Sequence, residues 1–187
     1  ITIRMEAPMR KEETVGDTVR SLMELLSSGD GMERKQARQS LAAIGGPSVP
    51  SLCKALMHSR SDQTRWEAAK ALDEIGDIRS IPSLVKALKD GDPDVAWLAA
   101  EALAKHERTA WVPILRALVK VGTDSPLLRK GAHHVFVKQR QEGYDDLLGA
   151  LTKDLEPNAV SESSTVDAYA ILKRMGARAG APIRSVR

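Results

Sequence analysis

Residues 68–95 read AAKALDEIGDIRSIPSLVKALKDGDPDV, and this stretch decides the fold. Its words recur along most of the chain at a step of 31 residues. Leu41, Leu72 and Leu103 keep that step, as do Ala37, Ala68 and Ala99, and Ile44 with Ile75. Pro50, Pro82 and Pro113 follow in the successive copies, the first interval being one residue longer. Apolar residues sit at helical spacing on both sides of each Gly: Ala68, Ala71, Leu72 and Ile75 before it, Ile81, Leu84, Val85 and Leu88 after it. One such hairpin cannot bury its own apolar faces, whereas a stack of them buries a continuous core. The pattern predicts an all-α fold: a right-handed α-solenoid of stacked antiparallel hairpins with about 31 residues per repeat.

Punctuation agrees with periodicity. Gly45 and Gly76 fall where a first helix, A, needs a left-handed C′ residue. Pro50, Pro82 and Pro113 fall in the expected first turn of a second helix, B, where a missing N–H costs nothing. Asp92-Pro93 and Ser125-Pro126 each read as a cap followed by Pro at the first helical position.

The A-A-x-A-L-x-x-I-G-D core at Ala68 to Asp77 and the P-x-L-x-x-A-L-x-D segment at Pro82 to Asp90 resemble the HEAT-like repeats found in phycobilin lyase subunits and in many other proteins. The resemblance is strongest over residues 66–95 and covers nearly the whole chain. It implies fold far more than function, and it implies that the B helices line the concave side.

The division follows from the step. Residues 1–13 read as a disordered lead-in, and 14–187 as one solenoid domain. Within it lie a half repeat at 14–31, repeats at 32–62, 63–93, 94–124 and 125–153, a polar loop at 154–164, and a partial repeat at 165–187. The fourth copy is degenerate: at the 31-residue step His134 takes the Leu position, Val137 the Ile position and Tyr144 the Pro position. In the last copy Ala168, Leu172, Met175 and Gly176 match Ala68, Leu72, Ile75 and Gly76, which makes it another helix A. Pro182 matches Pro82, so the chain stops at Arg187 five residues into the expected helix B, and a longer natural protein or a basic tail is expected.

Composition narrows the class. The 187 residues are 42% hydrophobic but only 3% aromatic, as thin stacked helices require. The single cysteine, Cys53, excludes a disulfide framework and a Cys-rich metal site. No apolar run is long enough to span a membrane, so a soluble cytoplasmic protein without membrane contact is expected. The net charge is +3, yet five bases and no acids follow Asp167. The repeat body is therefore near neutral, which weakens a nucleic-acid reading.

Catalytic constellations do not emerge. Arg65-Trp66-Glu67-Ala68-Ala69 resembles the R-H-E-A-A segments of deoxyhypusine hydroxylase, whose His-Glu pairs bind two irons. Here Trp66 and Trp97-Leu98 replace the histidine positions, so no metal and no cofactor is expected. Trp66 and Trp97, one step apart, read as plugs of the same inter-repeat gap. His134 reads as a buried, hydrogen-bonded core histidine. Trp111 reads as an exposed aromatic ahead of a B helix. Lys54, Lys86, Lys89, Arg116 and Lys120 read as a basic stripe along the concave B face.

Three functions compete. The first is a non-catalytic scaffold whose groove holds another protein or an acidic peptide segment. The second is a bilin-lyase-like subunit, implied by the repeat wording. The third is a nucleic-acid binder resembling the HEAT-like alkylpurine DNA glycosylases, implied by the basic stripe. A monomer or a weak end-to-end dimer is expected, because solenoid ends expose apolar faces.

Overall fold

The computed structural model describes residues 14–121, 125–137, 139–156, 159 and 162–176. The lead-in at 1–13 and residues 177–187 of the expected partial repeat lie outside the described residues. The described residues form α-helices and short 3₁₀ turns, with no strand among them. The helices are α1 (Val15–Leu25), α2 (Gly31–Ile44), α3 (Val49–His58), α4 (Asp62–Ile75), α5 (Ile81–Ala87), α6 (Pro93–Lys105), α7 (Arg108–Val121), α8 (Pro126–Phe136), α9 (Asp145–Asp154) and α10 (Glu162–Arg174).

They stack as two layers. Helices α2, α4, α6 and α8 pack side by side as the A layer, and α1, α3, α5 and α7 as the B layer. Each of α1, α3 and α5 also packs along the A helix that follows it. Small residues permit the close A-layer stacking: Ala37, Ala68 and Ala99 are all 0–1% exposed. Leu41, Leu72 and Leu103 are fully buried at the same step. Each such leucine contributes about 1.5–3 kcal/mol of transfer free energy.

Capping explains where the A helices begin. Asp30, Ser61, Asp92 and Ser125 each accept a backbone N–H from the first turn of α2, α4, α6 and α8. Three arginines then fasten neighbouring loops to these helices. Arg34 donates to the carbonyls of Ser28 and Gly29, Arg65 to that of Ser59, and Arg129 to those of Asp154, Glu156 and Ala159.

The corners between A and B helices come in two kinds. Gly45 (φ 72°) and Gly76 (φ 67°) turn the chain, a 3₁₀ turn follows at Gly46–Ser48 or Ile78–Ser80, and Pro50 or Pro82 sits in the first turn of the B helix. At the third corner Glu107 occupies the Gly position and takes φ 47°. Thr109 and Ala110 donate to the carbonyls of His106 and Glu107, so the 3₁₀ turn merges with α7, which is helical from Arg108. Pro113 therefore lies inside α7 and not in the first turn expected for it.

Register shifts in the fourth repeat. The Pro residues opening α6 and α8, Pro93 and Pro126, are 33 residues apart. Burial follows the caps: Leu128, Ala132, Val135 and Phe136 are buried where Val95, Ala99, Ala102 and Leu103 are buried in α6. Phe136 holds the core Leu position in place of His134. The His134 side chain is 31% exposed and bonds Glu101 on α6, while Val137 is 38% exposed.

Two further expectations change. Trp66 is half-buried against the core, but Trp97 is 54% exposed, so the two do not fill the same gap. Trp97 instead packs its ring against His134, with centroids 6.1 Å apart. Helix α10, expected as a further A helix, has its principal contacts with α7 and α9. It buries Ala168, Ile171 and Leu172, so the apolar stripe read from the sequence is used, on different neighbours.

Candidate functional site

The B helices of the first three repeats carry no acid. Helices α3, α5 and α7 contain no Asp or Glu, and their bases are Lys54, Lys86, Arg108, Arg116 and Lys120. The A layer mixes signs. Its acids bridge neighbouring helices: Arg38 on α2 pairs with Glu67 on α4 at 3.0 Å and also holds Glu74. Lys105 on α6 pairs with Asp73 on α4 at 2.6 Å. Several A-layer carboxylates thus join A helices, while α3, α5 and α7 carry bases alone; α1, in the same layer, carries Asp17 and Glu24 beside Arg20. Fields of one sign on one face attract a partner of the other sign.

Lys54 and Lys86 are exposed at equivalent points on α3 and α5. Lys89, just past α5, and Lys120, on α7, are also exposed. None of these four lysines makes an ion pair with the described residues, so their ammonium groups face solvent. Arg116 differs: it is half-buried and engaged by its surroundings, so it belongs to the packing of α7 as much as to the surface.

Trp111 corrects the expected exposed aromatic. It is 1% exposed, because α7 starts before it and turns it inward. Its ring meets Phe136 edge-on at 5.9 Å and Tyr144 at 6.0 Å. Arg108 and Arg174 then cover the Tyr144 ring at 5.1 and 5.9 Å. Trp111 is the centre of an aromatic cluster that locks α7, α8 and the start of α9 together.

Two hollows adjoin these surfaces. The larger, about 510 Å³, runs between α1 and α3. A smaller one, about 190 Å³, lies between α6 and α8, where Trp97, Leu127, Lys130, His133 and His134 meet. Sequence reasoning missed both, along with Arg20 and Arg108 as members of the cationic surface and His58 as a member of the first hollow. The signal for the surface was present, since the three B-helix stretches read without a single carboxylate.

Reactive groups are scarce. Among the described residues no group of three or more His, Cys, Asp or Glu converges on a metal-sized point. Burial pushes the Cys53 thiol up, so it stays protonated and weakly nucleophilic near neutral pH. Among the described residues no helix is long and apolar enough to cross a membrane.

Comparison with known proteins agrees with this architecture. The family model described as HEAT repeats matches residues 19–92 and 81–165. The chain is also similar to the uncharacterized phycocyanin operon protein Z of Pseudanabaena tenuis (strain PCC 7409), being 29% identical over 174 residues that cover 84% of each chain. Two stacked helical layers, repeated caps and corners, and a family match spanning most of the length lead to one assignment: the chain belongs to the HEAT-repeat family.

Proposed function

We propose that this protein is a non-catalytic scaffold that binds an acidic segment of another protein along its B-helix surface, the concave side of the array. The observation that carries this reading is the absence of Asp and Glu from α3, α5 and α7, with Lys54, Lys86, Lys89 and Lys120 exposed and unpaired among the described residues. Stacked repeats supply a long surface already ordered before binding, which lowers the entropic cost of holding an extended partner. Titration of a fluorescent polyglutamate peptide tests it. Binding should occur at low salt and weaken steeply as salt rises; absence of binding at low salt would end the proposal.

A second reading, a bilin-lyase-like subunit, draws on the similarity to the phycocyanin operon protein and on the hollow beside exposed Trp97. A flat pigment bearing carboxylates suits an indole flanked by Lys130 and His133. No change in pigment absorbance on adding the protein to a linear tetrapyrrole would remove it. The nucleic-acid reading keeps the charge, but Trp111 is buried and the exposed indole, Trp97, lies on α6 and not on the cationic helices α3, α5 and α7.

A further inference from the structure

We infer that the cleft between α1 and α3 is an anchoring subsite for an anionic side chain of a bound peptide. This inference rests on the scaffold reading above and locates its strongest point.

The cleft is a groove between two helices. Arg20 and Met23 lie on one face of α1, and Ser51, Lys54, Ala55 and His58 lie at helical spacing on the facing side of α3. Met23 and Ala55 are half-buried against the core and form an apolar floor. Arg20, Lys54 and His58 are exposed and supply the rim. Arg20 shares Asp17 at 3.0 Å, an exposed pair that leaves its other N–H groups available. Lys54 makes no ion pair with the described residues.

Hydroxyls complete the lining. Ser51 is half-buried on the groove wall, and Thr64 closes one end, donating to Ser27 at 3.4 Å. Guanidinium, ammonium and hydroxyl donors around one hollow are the chemistry of oxyanion recognition. No Phe, Tyr or Trp lines it, and its one ring is the His58 imidazole at the rim, so the cleft lacks the broad stacking platform a nucleobase uses. An apolar floor beneath a cationic rim fits a peptide that places one aliphatic side chain inward and a carboxylate or phosphate on the rim. A volume of about 510 Å³ accommodates a few residues of such a segment.

The test uses the full chain and three short fluorescein-labelled peptides, alike except for one central residue: phosphoserine, Glu or Ser. The phosphoserine or Glu peptide should bind and the Ser peptide should not, and the tighter of the first two identifies the anion. Arg20→Ala and Lys54→Ala should each weaken binding about tenfold, the loss of one charge-assisted hydrogen bond, while Lys35→Ala, an exposed lysine on α2, leaves it unchanged. Both altered side chains are exposed, so thermal melts of the variants should match the parent. Equal binding of the Ser peptide, or an equal loss in Lys35→Ala, would overturn the inference. If polyglutamate binds and depends on Lys86 and Lys120 but not on Arg20 and Lys54, the anchor falls and the scaffold reading stands. If neither polyglutamate nor the short peptides bind, both fall.

Discussion

Arg65 and Asp90 face each other in a two-pronged ion pair, with Nε donating to Oδ2 and Nη2 to Oδ1, both at 2.8 Å. The same guanidinium donates to the Ser59 carbonyl at 3.1 Å, and Asp90 Oδ1 also accepts the backbone N–H of Asp92. One side chain therefore ties the turn before α4 to the turn before α6. Both partners are largely shielded, at 17% and 10% side-chain exposure. Arg65→Ala should lower unfolding free energy by about 2–3 kcal/mol, since shielded charge-assisted hydrogen bonds are lost together. Arg65→Lys should recover only part of this, because an ammonium cannot make the fork. Urea unfolding of the three proteins measures both effects. Equal stability of Arg65→Ala and the parent would refute the clamp.

Glu107 takes a positive φ, as Gly45 and Gly76 do at the preceding corners, where glycine has no side chain to strain. A side chain there costs about 1 kcal/mol relative to Gly. Glu107→Gly should raise stability by about that amount in urea unfolding. A loss would mean that the exposed Glu107 side chain contributes more than its backbone strain costs.

Two titrations should act on stability in different pH windows. Burial lowers the His106 pKa, opposed by Asp77 and Asp73, so the unfolded chain binds that proton more readily. Stability should therefore fall as pH drops below the ordinary histidine range toward the lowered value. Asp167 is shifted the other way, by burial and then by the neighbouring Asp154 carboxyl. It destabilises when ionised, so stability should fall as pH rises from the ordinary aspartate value through the raised one. Asp167→Asn should raise the melting temperature at neutral pH and flatten that lower window. His106→Gln should flatten the upper one. Melting curves across pH for both variants decide it.

Trp111 anchors the junction where the regular array meets its divergent end. Trp111→Ala should cost about 3–5 kcal/mol, the range for truncating a buried large aromatic. Tyr144 should lose its ordered environment with it, visible as a collapse of near-ultraviolet dichroism. Retention of that signal at parental stability would show that the cluster is not structural.

The regular centre of the molecule was legible because its words repeat without change. Ala68, Leu72 and Leu84 are buried where the 31-residue step puts core residues. The fourth repeat was misread because that step was carried past a change in length. The caps Asp92 and Ser125, 33 residues apart, already contained the correct register, and His134 would have been recognised as a surface residue from them. Trp111 was misread for a related reason: without a Gly at position 107 the corner tightens, and the helix starts earlier than Pro113 suggests. The placement of α10 against α7 and α9 was beyond reach, because an apolar stripe states that a face is buried and not against what. The charge partition between layers was fully present in the sequence, but it becomes a surface only once the B helices are seen side by side.

Two triple charge reversals separate binding on the B helices from a general effect of charge. One replaces Lys54, Lys86 and Lys120 on the B helices with Glu; the other replaces Lys35, Lys70 and Lys130 on the A helices with Glu. Both change net charge equally, so a nonspecific charge effect would weaken polyglutamate binding equally. The scaffold account predicts that the B-helix variant loses binding by about a hundredfold or more, at roughly 1 kcal/mol per charge, while the A-helix variant stays near the parent. Equal losses in the two variants, or a greater loss in the A-helix variant, would contradict it.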